Sequence, residues 1–207
     1  VSGLPGLPGL PEIGPFLARL VRLDPAALVR LRPSAPDQMT VWGRVPWQIL
    51  VCRTVPATST ADLTVSAAEL LDGMTAGRAG LPARRDAQWR WPLPGSSGEP
   101  VESVPVADLV RLGAAAASTL RSGSGRIGER MLRDALLDHV AIEVRSGDKR
   151  VEVRQGLVQA LLRMGFVTDG MQGSVTVRTL SDWVGLEATT GQVWVNNRTS
   201  FAISILR

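Results

Sequence analysis

Punctuation constrains this chain more than any other feature. Its 21 glycines and 14 prolines cut 207 residues into short blocks, and no apolar run reaches the length of about eighteen residues that a bilayer span requires. Near each end the blocks are strand-like, rich in Val, Ile and Trp with partial alternation; in the middle, apolar residues recur at helical spacing. The expected fold class is therefore α+β, with two antiparallel β-meanders flanking a helical middle segment. Because 44% of the residues are apolar, a sizeable core can form, and disorder is excluded for most of the chain.

The blocks divide the chain into four parts. Residues 1–14 repeat Gly-Leu-Pro three times, a composition that favours polyproline II and predicts an extended apolar arm able to pack on a neighbouring subunit. Residues 15–88 form an N-terminal lobe: a helix from Phe16 to Asp24, then strands over 28–32, 39–45, 49–55 and 63–65. A helix over 67–74 follows, which Ser66 caps and Glu69 completes as a capping box. Residues 89–103 are a loop or linker. Residues 104–207 hold helices over 105–120, 126–138 and 156–164, a hairpin over 141–153 and strands over 175–180, 183–188, 193–196 and 201–206. In the 126–138 helix, Ile127, Met131, Leu132, Ala135 and Leu136 face inward. Leu17 to Arg22 and Val158 to Arg163 both precede three strands, which suits an internal repeat and equally suits any helix followed by a meander. The two ends therefore pack as one continuous core or as two closely packed lobes.

Reactive side chains are scarce. One cysteine, one histidine and no tyrosine exclude an intrachain disulfide and a Cys/His zinc cage, so neither a metal nor a cofactor is expected. Cys52 lies in the apolar run 49–52 and reads as a small buried hydrophobe; His139, just after a helix, also reads as structural. Without an acid/base pair the chain is expected to be non-catalytic. It is expected to be cytoplasmic, since residues 1–10 lack the regions of a secretory signal; the sequon at Asn197 is dismissed on the same ground. Of the 23 basic residues only Lys149 is lysine, the mark of a high-GC genome and of an expected actinobacterial source. The net charge of +4 permits nucleic-acid binding without demanding it. The segment from Asp24-Pro25 through Trp42 and Arg44 resembles the Asp-Pro and Trp/Arg pattern of the SsgA-like sporulation and cell-division proteins. The likeness covers about twenty residues, has different spacing after the tryptophan, and implies no family or site.

Four surfaces merit weighing. Arg30 and Arg32 share one side of a strand, as Trp42 and Arg44 do of the next; guanidiniums beside an aromatic platform suit phosphates and stacked bases, while a plain solvated sheet face carries the same alternation. Gly123-Ser124-Gly125-Arg126-Ile127-Gly128 spells a dinucleotide fingerprint, yet the block before it is helical rather than a strand. It reads as a hinge between helices, whose start, beside Arg121 and Arg126, could hold an anion. A winged-helix unit with Arg145, Lys149, Arg150 and Arg154 in its hairpin and Gln155, Gln159 and Arg163 on its reading helix competes with an ordinary amphipathic helix. Finally, Trp89 and Trp91 point the same way if the loop is extended, as a protein-binding hot spot or as a plug between lobes. The expected function is a binding or regulatory protein that meets nucleic acid through the Arg/Trp surface. The alternatives are a protein-interaction adaptor, oligomerising through the arm and the Trp loop, and nucleotide binding at 123–128.

Overall fold

The computed structural model describes residues 10–57, 61–78, 80–123, 128–147 and 149–197. The elements follow in the order α1 (Leu10–Leu23), β1 (Leu28–Ala35), β2 (Gln38–Arg44), β3 (Leu50–Pro56), β4 (Leu63–Ser66) and α2 (Ala67–Thr75). After a 3₁₀ turn at Asp86–Gln88 come β5 (Glu99–Pro105), α3 (Val106–Gly123), α4 (Glu129–Asp138), the hairpin β6 (Val140–Ser146) and β7 (Lys149–Arg154), and α5 (Gln155–Arg163). The strands β8 (Ser174–Leu180), β9 (Trp183–Ala188) and β10 (Gly191–Asn196) complete the order.

Both meanders belong to one eight-stranded antiparallel sheet of order β4-β1-β2-β3-β10-β9-β8-β5, with a separate β6-β7 pair. They join where Val51 of β3 pairs with Val193 of β10. The order is the same read from either edge: an edge strand that runs straight into a helix (β4 into α2, β5 into α3), then a three-strand meander preceded by a helix (α1, α5). The α+β class with two meanders and helices between them is thus present, and the meanders share a single sheet.

Alternation sorts the side chains of that sheet. Val29, Leu31, Val41, Val51, Val193, Leu186 and Val177 face the helices and are fully buried. Against them lie Ile13, Phe16, Leu17 and Leu20 of α1 and Leu157, Val158 and Leu161 of α5, with Phe16 stacked on Phe166 at 6.3 Å between ring centres. At Gly113 an added Cβ would collide with Leu162, so glycine there lets α3 and α5 approach. Ser66 Oγ accepts the N–H of Glu69 (3.3 Å), but the Glu69 carboxylate takes the Arg85 guanidinium instead (2.6 Å), so only half of the expected box forms.

Three expectations need correction. Residues 10–14 are helical rather than extended, because Ile13 extends the stripe of Phe16, Leu17 and Leu20, and Pro11 sits in the first turn, where no N–H is needed; residues 1–9 of the arm lie outside the described residues. Residues 99–103 are strand rather than loop: β5 pairs with β8 as an edge, where Pro100 and Pro105 are tolerated. Met131 is 71% exposed and Ala135 is exposed too, rather than inward, because α4 lies against the body through Leu132, Leu136 and Leu137 and buries none of its described side chains. α5 buries six of its nine residues, including Gln155, which agrees with the ordinary amphipathic helix weighed against a winged-helix unit. Ile127 and the expected strand over 201–206 lie outside the described residues.

Candidate functional site

The face of the sheet away from the helices carries the aromatic and basic residues. Here Arg30 pairs across with Trp42, Trp42 with Cys52, Cys52 with Gln192, Gln192 with Glu187 and Glu187 with Thr176, one row across six strands from β1 to β8. The chain must cross this face to link β4 at one edge to β5 at the other. The connection from Gln88 to Glu99 does so as a strap. Its near end is tied where Arg85 N–H donates to Thr64 O (2.7 Å) and Thr64 N–H donates to Asp86 Oδ1 (2.6 Å). At the far end Arg178 Nη1 donates to Gly98 O (3.0 Å), and Gly98 adopts the left-handed region at φ +68.

Beneath the strap lies a second apolar cluster of Trp42, Leu50, Cys52, Trp89 and Trp194. Trp89 and Trp91 meet edge to face at 5.4 Å, and Trp89 Nε1–H donates to Trp91 O (2.8 Å). Arg44 stacks over the Trp91 ring at 4.5 Å, and burial lowers its pKa. A polar ladder continues across the C-terminal strands: Arg178 Nε donates to Glu187 (2.6 Å), Gln192 Nε2 donates to Glu187 (2.6 Å), and Trp194 Nε1 donates to Gln192 (3.0 Å). Cys52 is buried, and burial pushes its thiol far above its ordinary range. His139 is exposed and caps the C-terminal end of α4.

At the β4 edge the guanidiniums crowd one carboxylate. Asp62 accepts Arg30 Nε and Nη2 (2.7 and 2.9 Å), lies 4.0 Å from Arg32, and lends its backbone carbonyl to Arg84 Nη2 (3.2 Å). Arg84 also pairs with Asp86 (2.8 Å). The hydrogen bond from Arg30, then the charges of Arg30 and Arg32, hold the Asp62 carboxyl below its usual range against the opposing effect of burial. Arg30 is raised in return, chiefly by its bond to Asp62.

The fold therefore brings Arg30, Arg32, Trp42, Arg44, Trp89 and Trp91 onto one face. It does not leave Trp42 as an open stacking platform, since that ring is 8% exposed under Trp89. Arg121 lies in the last turn of α3, on the opposite, helical side of the sheet, and Arg126 with most of the 123–128 motif lies outside the described residues. Sequence reasoning missed the concavities on that helical side. A cleft of about 520 Å³ lies between the β2–β3 turn, α4, the start of α5 and the end of β10; a second of about 250 Å³ lies between α3, α4 and α5. Trp47 walls both, and beside it Gln48 holds a left-handed φ of +67, rare for a residue with a side chain. Among the described residues no cluster of His, Cys, Asp and Glu is arranged to hold a metal, and no helix is long and apolar enough to cross a membrane.

A palindromic sheet with paired helices on one face defines a clamp-like class of fold. The chain is similar to the DNA polymerase III subunit beta of Pseudomonas aeruginosa (TM-score 0.57, 12% identity, 91% of this chain and 63% of that one). It is similar to the beta subunit from the DNA polymerase of Streptococcus pyogenes (0.58, 12%, 90% and 62%) and to the Helicobacter pylori beta clamp bound to a DNA ligase peptide (0.52, 10%, 91% and 64%). The chain spans less than two thirds of the length of these subunits. By sequence it belongs to the family described as Domain of unknown function (DUF8185), matched over residues 93–200, and residues 10–91 match Domain of unknown function (DUF8010). The boundary between the two matches falls within the strap. No match in sequence is found among the curated proteins.

Proposed function

We propose that this chain is a non-catalytic, nucleic-acid-associated binding protein that meets phosphate groups with the guanidiniums of its outer sheet face. One observation carries the reading: Arg30, Arg32 and Arg84 converge on Asp62, on the same face as the Arg44–Trp91 stack. The planar fork of arginine matches phosphate oxygens two at a time. Asp62 holds the forks extended, and an ion pair whose partners are 32% and 39% exposed contributes only about 0.2–1 kcal/mol. A phosphate that takes over its hydrogen bonds therefore displaces it at small cost. The solved structures of similar fold, which are subunits of DNA polymerases, agree with a nucleic-acid partner.

A mobility-shift titration of duplex and single-stranded oligonucleotides at two salt concentrations tests this. Retardation is expected to weaken with salt, and Arg32→Ala is expected to flatten the log–log salt slope by about 0.9 for each phosphate that is no longer neutralised. Absence of any retardation at low salt would end the proposal.

A further inference from the structure

The helical side offers a site of different chemistry. The smaller cavity has an apolar floor of Ala116, Leu120, Leu136 and Leu137, with Trp47 as one wall. The indole N–H of Trp47 is already donated to Gly156 O (3.2 Å), so the ring presents no free donor. Two charged side chains stand at this cavity, Arg133 of α4 and Arg163 of α5, and among the described residues no carboxylate lines it. The neighbouring guanidiniums are engaged: Arg130 lies 3.9 Å from Asp134, Arg154 lies 3.6 Å from Asp138, and Arg111 is paired with Asp108. Two guanidiniums without a carboxylate in the lining, beside an apolar hollow, favour a group that is apolar at one end and anionic at the other.

Size and continuity narrow the occupant. A hollow of about 250 Å³ falls short of the roughly 300–1,000 Å³ of small-molecule sites and suits one anchoring side chain. Trp47 and Leu137 also wall the larger cleft, whose rim of Asn196, Asn197, Asp138 and Arg154 is polar, so a ligand seated in the hollow can continue past the indole. We infer that the two cavities form one groove for an acidic, extended segment of a protein partner. An apolar side chain of that segment fills the hollow, and its flanking carboxylates meet Arg133 and Arg163.

Panning a random dodecapeptide display library on the full chain and on Arg133→Glu/Arg163→Glu tests the assignment, with selected peptides remeasured by fluorescence anisotropy. Selected sequences are expected to pair Leu or Phe with Glu or Asp, and to weaken about tenfold or more for each guanidinium removed. Lys-for-Glu versions of the same peptides should instead prefer the double variant. Ala116→Trp, which fills the hollow from α3 without touching either charge, should also abolish binding while a matched melting curve shows the variants folded. A library that returns no sequence dependent on these arginines overturns the inference. So does a duplex oligonucleotide that displaces the peptides and needs the same two residues, or a concentration-dependent dimer, seen by light scattering, that the double variant breaks.

Discussion

The two halves of the sheet share one topology and differ in what lies between their helices. In the N-terminal half, α1 leads directly into the meander and β4 runs straight into α2, so the helical layer closes over Leu17, Leu20 and Leu70. In the C-terminal half the chain inserts α4 and the β6-β7 hairpin between α3 and α5. Three concavities all draw residues from that insertion: Arg130 and Asp138 in one, Arg133 and Leu136 in the next, and Ile142 in a third beside α3. An added helix that touches the body along one side leaves hollows at its flanks. Chemistry accordingly diverges where the symmetry is broken, while the shared strands keep the same apolar pattern.

The sharpest test of the shared part is the cluster beneath the strap. Trp194, 1% exposed, is expected to cost about 3–5 kcal/mol on truncation to alanine, read as a drop in urea midpoint at unchanged slope. A loss near zero would mean that the strap does not cover the C-terminal half. Next in size is a matched pair of helical glycines. Gly113→Val must push against Leu162 and should destabilise by about 1–3 kcal/mol, whereas Gly73→Ala in α2 meets open space and should gain about 0.4–1 kcal/mol. Equal effects would erase the contrast between the two helical layers.

A smaller effect belongs to the N-terminal half alone. Asp62→Asn should cost at most about 1 kcal/mol at neutral pH. The Asp62 carboxyl titrates below its ordinary value of 3.8 because Arg30 bonds its charged form. Its contribution is therefore complete above that value and is lost as pH falls through the lower, folded one. The gap between parent and variant in denaturation midpoints should close in acid; a gap that widens in acid would contradict the ion pair. Smallest of all, Met131→Lys on the exposed face of α4 should leave stability within about 0.5 kcal/mol. A larger loss would show that the insertion is anchored through that face.

Much of the fold was readable from local pattern. Strands with alternating Val, Leu and Ile, the Ser66 cap and the hairpin about Gly147 follow from short-range chemistry, and their boundaries differ by only a few residues from the expected ones. Errors arose where a distant partner overrode local composition. The Gly-Leu-Pro repeat ending at Pro11 suggested an arm until Ile13 found the core, and Glu99 to Ser103 suggested a loop until β8 supplied a strand to pair with. The outer-face residues were readable as a set because alternation places Arg30, Arg32, Trp42 and Arg44 on one side. That Trp42 would be covered, and Arg30 held by Asp62, was not readable, since Asp62 and Trp89 are 32 and 47 residues away in sequence. The groove at Trp47 left only an oblique trace, a tryptophan followed by glutamine in a tight turn.

By itself the sequence determined the inventory: short strands, amphipathic helices, a chain almost without nucleophiles or metal ligands, and an excess of arginine. Tertiary structure alone decided which carboxylate holds Arg30, and that two meanders more than a hundred residues apart share one sheet. The physical reason is range. Propensity, capping and alternation act over a few residues, whereas charge pairing, burial and sheet continuation depend on neighbours that only the completed fold brings together.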